Sequence, residues 1–265
     1  MPSVQNTPPY KVLIRPSDTS SLWFQLCKNK PPFNDVKVRQ ALMYGIDRKL
    51  LNTGVLAGLG AAQNTLWPEG HVFYSKKAGE QYPYNVTKAK ELLAQAGYTA
   101  SNPLKFDLGV VAGFVGSERA GEVVQQQLKA IGVEVTIQRS TNIVEDFFVN
   151  VRYPIMNVPF TRNGTDKISR TFQAGSVGNV CNYNNPALNT VVDELKATDQ
   201  QSAKAVELWD QAQQIIGNEA AAIFGVWNPQ IHAYNESRLA GVRYVPDIFG
   251  NLTFDGFTAY VKKSS

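Results

Sequence analysis

The stretch from Leu104 to Ile137 leaves this chain the fewest folds to choose from. Leu104, Phe106, Leu108 and Val110 alternate as in a half-buried strand. Ser117 then opens a helix-period run in which Ala120, Val123, Val124, Leu128 and Ile131 share one face, and Val133, Val135 and Ile137 alternate again. Strand, helix, strand at this spacing is a βαβ unit. Its strands are parallel and its crossover right-handed, because only that hand packs the helix back onto the sheet. The chain is therefore expected to be an α/β fold with helices around a sheet.

Helix signals recur on either side. Pro31-Pro32 stiffen an extended approach, Asn34 or Asp35 can cap, and Val38, Ala41, Leu42, Gly45, Ile46 and Leu50 share a helical face. Asn85 caps a helix carrying Val86, Ala89, Leu92, Leu93 and Ala96 inward, with Gly97 just past its end. Asn185-Pro186 is a cap followed by a first-turn proline, with Leu188, Val191, Val192 and Leu195 inward. Ser202 opens a helix burying Val206, Trp209, Ala212 and Ile216 and stopped by Gly217. Shorter helices near 143–149 and 165–173 flank a buried strand near 155–160. Strands are also expected over 22–27 and 220–233, and a last one near 258–261. Residues 1–20 read as a loop with an incomplete edge strand at Val12-Leu13-Ile14, and 53–83 as a long irregular segment.

The 26 basic and 22 acidic residues give a net charge of +4, but they are scattered, the densest pairs being Lys76-Lys77 and Lys262-Lys263. No nucleic-acid or membrane patch is expected. No apolar run approaches the roughly 20 residues that cross a bilayer, and Met1 to Thr7 lack the basic and apolar regions of a signal peptide.

Catalytic chemistry finds little to stand on. There is no Gly-x-Ser-x-Gly elbow, and the histidines are His71 and His232 alone. Cys27 and Cys181 have no companions at zinc-ligand spacing, and the Gly113-Phe114-Val115-Gly116-Ser117 loop lacks the lysine of a phosphate loop. No catalytic residue, metal or cofactor is expected. That glycine loop leaves backbone N–H groups where an anionic group can sit, although turning from strand to helix is its simpler use. Phe160 to Asp166 follow a buried strand and precede a helix, the kind of strand-end loop where α/β folds hold ligands.

Four runs carry a resemblance. Pro32-Phe33, Asp35, Val38-Arg39, Ala41-Leu42 and Ile46-Asp47-Arg48 come first, then Tyr84 to Tyr98, Val124 to Val135, and Asn182-Tyr183-Asn184-Asn185-Pro186. In this order and with these gaps they resemble the second lobe of the peptide- and nickel-type (family 5) extracytoplasmic solute-binding proteins of ABC importers. The resemblance implies a periplasmic-binding-protein-like lobe of the class C, type II kind, with a mixed sheet flanked by helices. It implies a C-terminal lobe at 28–229, with hinge segments at 1–27 and 230–265 returning to a missing N-terminal lobe that would carry the export signal. Hinges are expected near 22–27 and 230–234. It also implies a small-molecule or short-peptide solute, an ABC permease as partner, and a periplasmic or lipid-anchored location. A sensory binding protein reporting to a membrane receptor is the alternative, and no enzyme activity is expected.

In peptide-binding relatives the strand-end loop reads as an aromatic, two residues, an aspartate that takes the peptide's ammonium, then an acidic residue and a proline. Here Phe160 matches the aromatic, Asn163 stands for the aspartate, Asp166 is the later acid and Lys167 replaces the proline. An amide carries no compensating charge for a buried ammonium, so sugars, opines, amides or anionic solutes fit better than ordinary peptides. Arg162 and Arg152 are candidate carboxylate partners, and Phe114 and Asn179 complete the candidate lining. The oxidising compartment allows a Cys27–Cys181 bridge, but both flanks resemble segments that need no cysteine. Two separate buried thiols are favoured and the pair is left open.

Overall fold

The computed structural model describes residues 7–242, 244–246, 252–254 and 260–261, with backbone alone at 15, 16, 18, 160, 244–246, 252–254 and 260. The first strand, β1 (Tyr10–Leu26), leads into α1 (Val36–Gly45), α2 (Arg48–Leu56), β2 (Ala61–Ala62), the single turn α3 (Lys76–Gly79) and α4 (Val86–Gln95). Next come β3 (Leu104–Val111), α5 (Val115–Lys129), β4 (Val133–Ser140), a π-helical turn over 144–149, β5 (Ile155–Thr161) and α6 (Asp166–Phe172). The long helices α7 (Pro186–Ala197) and α8 (Ala203–Asn218) precede β6 (Ile223–Asn235). Short pairs of strands over 239–240 with 260–261 and 244–246 with 252–254 follow. Residues 1–6 and 258–259 of the expected edge segment and last strand lie outside the described residues.

Six strands form one mixed sheet in the order β2-β6-β1-β5-β3-β4. β3 runs parallel to β4 and β5, as the βαβ pattern predicts, while β1 is antiparallel to both β5 and β6. Leu22 faces α5, its Cδ1 lying 3.5 Å from where a Gly116 Cβ would sit. Trp23 faces the opposite way, onto Phe172 of α6 with ring centroids 5.8 Å apart. The sheet is thus sandwiched between α2 and α5 on one side and α6 on the other. Gly121 sets how closely α5 can lie on the sheet, because a Cβ there would come within 2.6 Å of Val110.

Several expectations need correction. Residues 10–20 are not loop and edge: β1 lies third from one end of the sheet and is paired on both sides. The strand over 22–27 is an interior one, with Leu22, Trp23, Phe24, Leu26 and Cys27 all fully buried. Ser117 does not cap α5. Its Oγ accepts the Val111 N–H at 3.0 Å and donates to the Asn157 carbonyl at 3.4 Å, tying α5 to β3 and β5. Val206 and Leu50 lie at the surface, with Leu208 and Leu51 buried in the same helices.

The misplacement of Leu50 has a local cause. Asp35 caps α1 by accepting the Lys37 N–H, but the helix breaks at Ile46 and Asp47 caps a second one, accepting the N–H groups of Lys49 and Leu50 at 2.9 and 3.1 Å. The restart shifts the phase of the apolar stripe. Asp47→Ala is expected to cost about 1 kcal/mol, the usual worth of such a cap, measured by urea unfolding.

Candidate functional site

Because β3, β4 and β5 run parallel, the segments that follow them emerge at the same edge of the sheet. At that edge β5 ends at Thr161, and the Arg162 N–H donates to the Thr19 carbonyl at 3.1 Å, holding the exit of β5 against β1. Gly164 then takes a left-handed φ of 49°, and the Asn163 Oδ1 accepts its N–H at 2.8 Å. Since a backbone N–H can only meet the oxygen, this contact fixes which way the Asn163 amide points.

The turn opens a cleft of about 420 Å³ lined by Thr161, Arg162, Asn163, Gly164, Thr165, Asp166 and Arg170. Three of the expected residues, Arg162, Asn163 and Asp166, are therefore brought together. The Phe160 side chain lies outside the described residues, although its backbone pairs with Ser21. Arg170 is an addition. Its Nε lies 3.0 Å from the Asp166 carboxylate one helical turn away, and the Asp-x-x-x-Arg spacing carried that signal in the sequence. Lys167, the residue in place of a proline, is fully buried and ties the start of α6 to the 66–67 segment. Its Nζ donates to the Leu66 carbonyl at 3.1 Å and sits 3.4 Å over the Trp67 ring.

The other expected residues stand elsewhere. Phe114 is exposed at the start of α5, on the same edge of the sheet but outside the cleft lining. Arg152 pairs with Asp146 at 2.8 Å, and the Ser140 hydroxyl donates to the same carboxylate at 2.7 Å. These two donors, Ser140 first, hold the Asp146 carboxyl below its usual range. Ser140 thereby ties the π-helical turn to the end of β4, and Arg152 holds the same turn from the side of β5. Asn179 is buried, its Nδ2 donating to the carbonyls of Gln173 at 3.0 Å and Tyr183 at 2.6 Å, so it closes its own loop.

That loop is also fixed covalently. Cys27 and Cys181 form a disulfide, with Cα atoms 5.3 Å apart, which replaces the favoured pair of thiols. The sequence could not show it because 154 residues separate the partners and only the sheet brings them together. Beside it the Lys28 side chain is buried between the rings of Tyr183 and Phe172, its Nζ 4.7 and 5.5 Å from their centroids. Nothing among the described residues accepts its hydrogen bonds. Burial, and then the nearby Arg39, push its pKa down to about 7. No group of three or more His, Cys, Asp or Glu side chains converges as metal ligands do, among the described residues.

The profile of bacterial extracellular solute-binding proteins, family 5 Middle, matches residues 1–187. The probable deoxycholate-binding periplasmic protein YgiS of Escherichia coli is 29% identical over 243 residues, which cover 87% of this chain and 44% of that protein. Heme-binding protein A of Haemophilus influenzae is 27% identical over 94% of this chain and 46% of its own length. In structure, a putative peptide binding protein AppA from Clostridium difficile superposes with a TM-score of 0.85 at 20% identity, over 98% of this chain and 54% of that one. That likeness speaks to the fold, a lobe of the type II binding-protein kind with a mixed sheet flanked by helices. The chain spans about half the length of the curated relatives it matches. With the profile covering well over half of its residues, the chain belongs to the bacterial extracellular solute-binding proteins of family 5.

Proposed function

We propose that the cleft over Thr161 to Arg170 is where this chain receives a small extracytoplasmic solute for capture and delivery to an ABC permease. The observation that carries this reading is the polar, open cleft at the carboxyl edge of the parallel strands. One wall of such a cleft leaves a solute largely in water. The second wall is assigned to the part of the relatives' length that this chain does not span.

The strands give closure a place to bend. The first half of β1 and the second half of β6 run out past the cleft as a two-stranded ribbon, pairing from Tyr10 with Asn235 to Pro16 with Pro229. The two facing prolines bring no N–H to the ladder, and the register shifts between Pro16 and Ser21. These features support closure at Pro16 and Pro229, just before the Gln230–Tyr234 segment named from the sequence. The disulfide supports an oxidising, extracytoplasmic setting. Catalysis is not invoked: His71 is stacked on Trp67 at 4.0 Å, and His232 lies on the outgoing ribbon. No observation favours the sensory alternative.

Native mass spectrometry of the protein purified without denaturant, at the full length of its relatives, tests this. One small molecule bound per chain and released unchanged on unfolding is expected. Absence of any bound solute, or its release as a converted product, would count against capture.

A further inference from the structure

The cleft differs from a generic polar loop in how its hydrogen-bonding groups are used. Four of its acceptors are engaged inside the turn. The Asn163 Oδ1 takes the Gly164 N–H, the Thr161 carbonyl takes the Arg162 guanidinium at 2.9 Å, and the Gly164 and Thr165 carbonyls take the first N–H groups of α6. The Asp166 carboxylate keeps lone pairs, but Arg170 at 3.0 Å matches its charge.

The charged group left without a counter-charge is a donor, the Arg162 guanidinium. Arg162 has five N–H groups and one carbonyl to receive them, and no carboxylate lies within ion-pair distance of it among the described residues. The Asn163 amide, with its oxygen turned inward, is left to present its NH₂. Two arginines against one aspartate leave the lining with a net charge of +1. A single guanidinium fork matches one carboxylate in charge and in geometry, whereas an ammonium placed here would meet cations and donors.

We propose that the solute presents a carboxylate to this lobe, that Arg162 is its specificity-determining partner, and that Asn163 supports it as a neutral donor. The proposal rests on the capture function assigned to the same cleft.

Three small probes of different charge test it by amide NMR on the 265-residue chain at fixed ionic strength: N-acetylalanine as the carboxylate, N-acetylalanine amide as the neutral form of the same size, and alanine amide as a smaller ammonium. The expected result is that N-acetylalanine shifts the signals of residues 161–166 and binds about tenfold more tightly than the neutral form. Arg162→Gln should erase that preference without moving the thermal midpoint. Retention of the preference in Arg162→Gln would overturn the role of Arg162. Stronger shifts at 161–166 with alanine amide would overturn the ligand class while leaving the capture site in place. Shifts at 161–166 with none of the three would remove the site and the class together.

Discussion

Replacing Cys27 and Cys181 together by alanine is expected to lower the unfolding free energy by about 3–5 kcal/mol. The bridge closes a loop with a sequence separation of 154, for which the chain-entropy relation gives about 5 kcal/mol, and residual structure in the unfolded chain reduces that figure. The covalent tie also holds a conformation that the loop would not choose alone. Cys181 and Asn182 both have left-handed φ values, 59° and 51°, which L-residues seldom adopt without enforcement. Gln25 and Asn29 add side-chain hydrogen bonds to the carbonyls of Gly178 and Cys181, but these depend on the loop being in place. Guanidinium unfolding of the double variant beside the oxidised parent checks the expectation. A loss below about 1 kcal/mol would mean that the loop is held without the bridge.

The second large effect runs in the opposite direction. Lys28→Met is expected to stabilise the protein by about 2–4 kcal/mol at pH 7. The lysine, with a pKa near 7 when folded and 10.5 as its ordinary value, carries a burial penalty of about 4 kcal/mol at that pH. Contact with the faces of Tyr183 and Phe172 returns about 1–2 kcal/mol, and methionine fills the same aromatic slot without the charge. The sign of the pH dependence follows from the lowered folded pKa. Between pH 7 and about 10.5 the unfolded chain holds a proton that the folded one has released, so folded stability rises with pH across that window. Below pH 7 the penalty is at full size. The advantage of Lys28→Met should therefore shrink towards zero as pH rises from 7 to 10.5. A variant less stable than the parent at pH 7, or an advantage flat across the window, would contradict a buried, unpaired Lys28.

What could be read from the sequence was what local physics encodes. The alternation over 104–111 and 133–140, and the caps at Asn85, Asn185 and Ser202, each use contacts within a few residues, and all are found in place. The strand over 22–27 was expected, but its continuation back through Ser17 to Ser21 was not, because that stretch is polar. Ser17, Thr19 and Ser21 are buried there only because β5 and β6, from more than a hundred residues away, close over both of its edges. Ser117 has the chemistry of a cap but lies inside the first turn of α5, where its hydroxyl serves the sheet. Arg162, Asn163 and Asp166 fall together in one cleft because a strand-end loop is a local pattern. Arg152 and Asn179 stand apart from that turn, because each is engaged by a partner a few residues away, Asp146 and the Tyr183 carbonyl, that the backbone brings round to it. Lys28, one residue past a strand, has the sequence look of a solvated side chain.

The central claim is that solute meets this chain at the turn over 161–166. Amide hydrogen exchange tests it most directly, comparing the protein carrying its natively trapped solute with the same protein unfolded, dialysed and refolded without it. Slower exchange over residues 161–166 in the solute-bound form, with the disulfide-closed loop over 173–185 unchanged, is the expected result. Solute-dependent protection that leaves 161–166 untouched would contradict it.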